Sequence, residues 1–109
     1  MPYRVIYSEH AKSDLLDIER YIADAGSPAN AKAYVKAIVA KCECLAAAPY
    51  QGTRRDHLLS GLRTTGFRSR VTIAFRIAAE TILIAGIFYG GRSLEKNFKT
   101  SPERFEGQS

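Results

Sequence analysis

A chain of 109 residues with a net charge of +5 can form one domain with a hydrophobic core, but it is too short for two. Its apolar content of 46% and charged content of 25% are ordinary for a globular protein, and no apolar stretch approaches the roughly 20 residues that span a bilayer. The opening residues do not match a signal peptide. We therefore expect one cytoplasmic domain over residues 1–109, with its core in residues 3–92, a polar tail in residues 93–109 and no membrane contact.

The two cysteines exclude a disulfide within the chain. Cys42 and Cys44 are two residues apart in a predicted helix, where side chains at that spacing point in different directions. A zinc site needs about four ligands, and the only histidines are His10 and His57. We expect no metal and no cofactor, and a structural role for both cysteines.

The N-terminal half is predicted to begin with a strand and a helix. The strand covers residues 3–7, where aromatic and β-branched residues alternate with others. Ser8 is a suitable N-cap for a helix that ends at Gly26. One face of this helix is apolar, through Ala11, Leu15, Ile18 and Ile22. Charged residues are predicted to form its solvated sides: Glu9, Lys12, Asp14, Asp17, Glu19, Arg20 and Asp24.

A second helix is predicted over residues 28–48. Ser27 is its cap, and Pro28 occupies the first helical position, where a missing backbone donor costs nothing. Pro49 ends it. Its apolar line consists of Ala31, Tyr34, Ile38, Cys42 and Leu45. The short connection between the helices predicts an antiparallel helical hairpin.

The second half is predicted to be a loop at residues 50–61 and a three-stranded antiparallel meander at residues 62–67, 71–78 and 81–89. The fold class is therefore α+β. The third strand is apolar on both faces, because Ile82, Ile84 and Phe88 alternate with Leu83, Ala85, Ile87 and Tyr89. The helical hairpin can cover only one face. The other face is covered by the tail, by another polypeptide, or simply remains as exposed apolar area.

All of the net positive charge lies between residues 52 and 92. This region holds seven arginines and only two acidic residues, Asp56 and Glu80, whereas all six lysines lie elsewhere. Guanidinium groups form paired hydrogen bonds with carboxylates and phosphates and stack on planar groups. The arginines therefore indicate a recognition surface, with solvation of strand edges and turns as the alternative.

The same region contains few residues that could act in catalysis. Arginine stays protonated and is a poor base, which leaves His57, Tyr89, Asp56 and Glu80 as the groups able to transfer a proton. Glu80 is predicted at a turn, apart from the others. These residues do not form a recognisable catalytic motif.

The order of elements and several short segments resemble the RelE/ParE superfamily of bacterial toxins, with ParE-like members the closer match. The matching segments are residues 3–8 with Ala11, Asp14 and Leu15; Ile18, Tyr21 and Ile22; Leu45, Ala46, Pro49 and Gly52; residues 61–63; and residues 87–92, Ile-Phe-Tyr-Gly-Gly-Arg. They span about residues 3–95. Relatives often carry an acidic residue after the Gly-Gly-Arg segment, where this chain has Ser93.

The resemblance implies a toxin of a type II toxin–antitoxin system. ParE-like toxins poison DNA gyrase, whereas RelE-like toxins cleave messenger RNA on the ribosome with lysine, arginine and tyrosine residues of the sheet. This sheet has no lysine, so we expect a non-enzymatic gyrase poison held inactive by a ParD-like antitoxin, with operator DNA bound only through that antitoxin. The alternatives are a ribosome-dependent endonuclease and a weakly toxic corepressor of its antitoxin.

Site residues follow from the resemblance together with charge and predicted face. Contacts with the target are assigned to Arg63, Arg70, Arg76 and Arg92. A ribonuclease would instead use Tyr89, Arg63 and Arg76. Contacts with the antitoxin are assigned to Leu16, Tyr34, Leu83, Ile87 and Tyr89, because its disordered C-terminal segment is expected to fold along the helices and to cover the third strand.

Overall fold

The computed structural model describes residues 3–90, which form two helices and five strands. The helices are α1 (Glu9–Ala25) and α2 (Pro28–Cys44). The strands are β1 (Arg4–Tyr7), β2 (Thr53–Arg54), β3 (Leu62–Phe67), β4 (Val71–Ala78) and β5 (Thr81–Tyr89). The predicted α+β class is confirmed. Within residues 3–90, neither helix is long and apolar enough to cross a bilayer.

The five strands form one mixed sheet in the order β1-β5-β4-β3-β2. The meander β3-β4-β5 is antiparallel, as predicted. Strand β1 adds to its edge parallel to β5, and the long connection that a parallel pair requires contains both helices and the strands β2 to β4. The two-residue strand β2, which pairs with β3 through Thr53 and Arg54, was predicted as loop because a segment this short has no periodicity to read.

Both helices begin at the predicted serine caps. Ser8 Oγ accepts the N–H of Ala11 at 3.0 Å, and Ser27 Oγ accepts the N–H of Asn30 at 3.3 Å. Helix α1 ends at the predicted Gly26, but α2 ends at Cys44 rather than at residue 48. The N–H groups of residues 45–48 bond to carbonyls three residues back, so the chain tightens into turns before Pro49.

The main core lies between the helices and one side of the sheet, called here the helix side. It contains Ile18, Ile38, Phe75, Ile84 and Ile87, among others. The opposite side, called the outer side, has a smaller core: Leu62, Ala74, Ala85 and Phe88, with Leu58 and Leu59 packed against it. The loop before β3 therefore covers part of the outer side of the sheet. The sequence had suggested that this side is covered by the tail or a partner, or is left exposed.

A β-bulge in β5 corrects the predicted alternation of this strand. Ala74 pairs with Gly86 and Phe75 with Ile84, so Ala85 is the extra residue. Because side chains alternate with a period of two, one extra residue exchanges the faces of everything after it. Ile87 and Tyr89 therefore join Ile82 and Ile84 on the helix side, and Phe88 faces the outer side.

Two polar side chains of the first helix bind the backbone on either side of this bulge. Ser8 Oγ donates to the carbonyl of Ala85 at 3.0 Å, and the carboxylate of Asp14 accepts the N–H of Ile87 at 2.9 Å. Asp14 is only 3% exposed, so its predicted place on the solvated side of α1 was wrong. Buried polar groups are retained in cores when they are hydrogen-bonded, and the bulge supplies the donor for Asp14.

Candidate functional site

The arginines of the sheet do not form one surface. Directly opposed residues of antiparallel strands share a face, and Arg63 is opposite Phe75, a residue of the helix-side core. Arg76 is opposite Leu62 and Leu83, so it lies on the outer side. Both residues are predicted to contact the target, and the register of β3 and β4 places them on opposite faces of the sheet.

Arg63 lies in a cleft of about 280 Å³ lined by Tyr50, Arg54, Gly61, Arg63 and Ile77. Its guanidinium lies 5.4 Å from the centroid of the Tyr50 ring, and Nη1 donates to the carbonyl of Tyr50 at 3.0 Å and to that of Gln51 at 3.4 Å. This arginine is therefore bound in part by the chain's own backbone.

Arg54 has a carboxylate partner in the same region. Its Nε donates to Asp56 Oδ2 at 2.7 Å, and Asp56 Oδ1 accepts the N–H of Gly61 at 2.9 Å. The Gly61 N–H, followed by Arg54, holds the pKa of Asp56 below its usual range. Asp56 therefore stays ionised and neutralises part of the positive charge of the cleft.

A different group of cations lies at the turn between β3 and β4. The N–H of Arg70 bonds to the carbonyl of Phe67 at 3.2 Å, which closes a turn whose central residues are Arg68 (φ 53°) and Ser69 (φ 60°). Two successive positive φ angles are what a type I′ hairpin turn requires, normally with asparagine and glycine. This geometry places the Arg68 guanidinium 4.8 Å from the Phe67 ring centroid and 5.5 Å from that of Tyr34.

Aromatic residues from both helices and the sheet meet at this turn. The Tyr34 ring of α2 is edge-on to Phe67 at 6.0 Å and to Tyr89 at 5.8 Å, and Tyr21 of α1 lies 5.7 Å from Tyr89. We call Tyr21, Tyr34, Phe67, Arg68 and Tyr89 the tyrosine–arginine cluster. Arg68 and Tyr21 were not among the predicted site residues. The signal that could have found Arg68 is the short, three-residue connection between two alternating strands.

Burial raises the pKa of Tyr34, and Tyr89 adds to this effect, whereas Arg68 and then Arg70 act in the opposite direction. Both guanidinium groups are therefore close enough to influence the Tyr34 hydroxyl. That hydroxyl is buried and has no hydrogen-bond partner among the residues that the structure describes. The cluster thus combines four rings with the guanidinium of Arg68 at one end of the sheet, and Arg70 lies next to it.

The predicted antitoxin contacts fall into four locations. Tyr34 and Tyr89 come together in the tyrosine–arginine cluster, and Leu16 is 59% exposed on α1. Leu83 lies on the outer side and is only 7% exposed. Ile87 is fully buried in the helix-side core, so its predicted role as a surface contact is not compatible with this structure. The bulge at Ala85 is the reason, because it turns Ile87 toward the helices.

The predicted ribonuclease residues also do not converge. Tyr89 is opposite Val71 and Arg63 is opposite Phe75. Tyr89 and Arg63 are therefore ~13 Å apart along the strand direction and, because two strand spacings separate β5 from β3, a further ~10 Å apart across the sheet. Arg76 lies on the other face of the sheet. Arg92, Ser93 and the polar tail lie outside the described residues.

The fold is thus a small basic α+β domain in which arginines and aromatic rings come together at two separate places, the cleft at Arg63 and the tyrosine–arginine cluster. The chain belongs to the ParE toxin family of type II toxin–antitoxin systems (parDE), whose family model matches residues 5–94. The resemblance drawn from short sequence segments is thereby confirmed.

Solved structures with the same fold are also toxin–antitoxin proteins. A chain of the chromosomal ParDE toxin–antitoxin system from P. aeruginosa is 24% identical, with a TM-score of 0.71, and the match covers 81% of this chain and 96% of that chain. A chain of the RelBE2 toxin–antitoxin complex from Mycobacterium tuberculosis is 21% identical, with a TM-score of 0.57 and coverage of 82% and 99%. No curated protein matches the sequence significantly.

Proposed function

We propose that this ParE-family toxin stops growth by binding DNA gyrase without chemistry of its own, and that a ParD-like antitoxin neutralises it. Membership of the family supports the toxin role and makes gyrase the first target to test. The P. aeruginosa relative comes from a ParDE system, which supports an antitoxin of the ParD type as the partner. Operator DNA would then be bound only through that antitoxin.

The observation that carries the choice of binding over cleavage is the separation of Arg63, Arg76 and Tyr89. Cleavage of RNA requires a base, an acid and phosphate-binding cations within hydrogen-bond reach of one reacting group. Here two of the three residues lie on the same side of the sheet but many ångströms apart, and the third lies on the opposite side. A protein that acts by binding alone does not need these three residues to lie close together.

The direct test measures DNA supercoiling by purified gyrase and the accumulation of gyrase–DNA cleavage complexes with increasing amounts of toxin. We expect loss of supercoiling together with trapped cleavage complexes. Arg70→Ala removes an exposed predicted contact and should weaken both effects, whereas Arg20→Ala removes the same charge from an exposed position on α1 and should not. Growth arrest with gyrase fully active would refute gyrase as the target.

Two alternative outcomes identify the other functions. Messenger RNA fragments that form only with ribosomes, and that disappear with Tyr89→Phe, would indicate an endonuclease of the RelE type. The absence of any growth defect, together with tighter operator binding by the antitoxin when the toxin is present, would indicate a corepressor. Both experiments use the full chain.

Antitoxin binding is tested with the product of the neighbouring gene. Leu16 is a large apolar side chain, 59% exposed, on a face of α1 that is otherwise charged or polar. We expect Leu16→Asp to weaken complex formation, because it places a charge where an apolar contact is proposed. Ile6→Asp, another exposed apolar position but on the outer side of β1, is the matched control. Equal binding by the Leu16 variant and the wild-type chain would remove α1 from the proposed interface.

A further inference from the structure

The turn at Arg68 and Ser69 has an unfavourable backbone for the residues that form it. Arg68 and Ser69 have φ angles of 53° and 60°, a region that side-chain-bearing residues seldom occupy. Such outliers persist only where the surrounding structure holds them, and they often occur at binding sites. In this turn, the unusual backbone places the guanidinium of Arg68 over the Phe67 and Tyr34 rings.

The chemistry around this turn is suited to a planar, anionic ligand. Arg68 and Arg70 are exposed, and both act electrostatically on Tyr34. Tyr21, which is 62% exposed, adds a ring next to Tyr89. Aromatic rings and guanidinium planes stack on nucleobases, while guanidinium edges donate to phosphates. An acidic peptide would use the guanidinium edges but not the exposed ring, so the combination favours a nucleotide.

We propose that Tyr21, Arg68 and Arg70 form a binding site for single-stranded nucleic acid, one or two nucleotides in size. A base stacks on the Tyr21 ring or on the plane of the Arg68 guanidinium, and the adjoining phosphate accepts hydrogen bonds from Arg68 and Arg70. The net charge of +5 supports attraction of a polyanion. The site goes beyond gyrase inhibition and does not require it, because neither a gyrase contact nor cleavage enters the argument.

A second tyrosine–arginine pair provides a stringent control. Tyr50 is 66% exposed, close to the value for Tyr21, and the Arg63 guanidinium lies over its ring. Arg63, however, already donates to two backbone carbonyls, and Asp56 places a negative charge nearby. Tyr50 therefore matches Tyr21 in size and exposure, but it lies in an environment less favourable to phosphate.

The test measures fluorescence anisotropy of labelled oligonucleotides of about eight units, the footprint of one small single-strand-binding domain. The probes are oligothymidylate, oligouridylate and an abasic oligomer with the same phosphates. Because stacking of one base changes affinity by roughly 5- to 150-fold, we expect the abasic oligomer to bind at least about fivefold more weakly than oligothymidylate. The two pyrimidine oligomers show whether DNA or RNA is preferred.

Variants of the whole chain locate the site. Tyr21→Ala should weaken oligothymidylate binding by about tenfold and leave abasic binding unchanged, because only a stacking contact is lost. Arg68→Gly should weaken binding of both probes, and glycine fits the positive φ, so the turn is preserved. Tyr50→Ala and Arg54→Gly are the matched controls at the opposite end of β3 and should change little.

Three results would overturn the proposal. The first is equal affinity for oligothymidylate and the abasic oligomer. The second is a loss with Tyr50→Ala as large as the loss with Tyr21→Ala. The third is binding of poly-glutamate with the same affinity and the same dependence on Tyr21, which would make the cluster a site for an acidic protein segment. Thermal melting of each variant establishes that a loss of binding is not a loss of fold.

Discussion

The Asp14 carboxylate accepts the N–H of Ile87 at 2.9 Å, and this bond joins α1 to β5 just after its bulge. Together with the Ser8 hydroxyl, which donates to Ala85, it fixes the position of the bulge against the first helix. The bulge in turn determines which β5 side chains face the helices. One buried aspartate is thus connected to the placement of Tyr89 in the tyrosine–arginine cluster.

Replacing Asp14 by alanine should destabilise the fold by about 2 kcal/mol, because the buried N–H of Ile87 loses its charged acceptor. Urea unfolding at neutral pH measures the change. Asp17→Ala is the matched control: Asp17 is half-exposed and its one ion pair within residues 3–90 is with exposed Arg20 at 3.5 Å, so its loss should cost less than about 0.5 kcal/mol. Equal effects of the two substitutions would contradict a special role for Asp14.

Removal of two different tyrosine hydroxyls should change the stability of the protein in opposite directions. The buried Tyr34 hydroxyl has no hydrogen-bond partner within residues 3–90, so Tyr34→Phe should stabilise the protein by about 1 kcal/mol. The Tyr7 hydroxyl donates to Glu43 Oε2 at 2.6 Å, so Tyr7→Phe should destabilise it by about 1 kcal/mol. Thermal melting of both variants checks the two signs, and destabilisation by Tyr34→Phe would count against an unpaired hydroxyl.

Ser69→Gly should stabilise the protein by about 1 kcal/mol. Glycine occupies the φ of 60° without the steric cost that a β-carbon imposes. Ser60→Gly is the matched control, because Ser60 is exposed in a loop and is not among the residues with positive φ. That variant should be neutral or slightly destabilised through the larger entropy of the unfolded chain. If Ser69→Gly gives no gain in melting temperature, the turn is not strained.

Stability should fall above about pH 9, and Cys42 should be the first cause. Burial, followed by the nearby Glu43 charge, raises the pKa of the Cys42 thiol to about 12 from an ordinary value of 9.0. The unfolded chain therefore loses this proton first, and the free energy of unfolding decreases by up to about 1.4 kcal/mol per pH unit between those values. Tyr7, whose pKa is raised by burial and by its bond to Glu43, adds to the decrease above about pH 10.

Urea unfolding between about pH 8 and about pH 10 measures this slope. Cys42→Ala should remove most of the slope below about pH 10, although it also lowers stability at every pH by leaving a small cavity. Cys44→Ala, which removes the exposed thiol, is the matched control. An identical slope in the two variants would show that Cys42 does not titrate differently in the folded and unfolded chains.

Apart from β2 and the C-terminal end of α2, the order of elements and their ends were readable from the sequence, because caps, turns and periodicity are local properties. Ser8 and Ser27 cap the helices as predicted, and the three meander strands have the predicted bounds. The concentration of arginine between residues 52 and 92 is likewise a property of the sequence alone. The segments that identify the toxin family are equally local.

Only the tertiary structure decided which of these residues meet. The bulge at Ala85 depends on hydrogen bonds from a helix some 70 residues earlier in the chain, and no local pattern shows it. It moved Ile87 from the predicted interface into the core, and strand register separated Arg63 from Arg76. The cluster of Tyr21, Tyr34 and Tyr89 draws on two helices and a strand. Local periodicity fixes a side chain's face only while the period is unbroken, whereas register and bulges are set by contacts between distant segments.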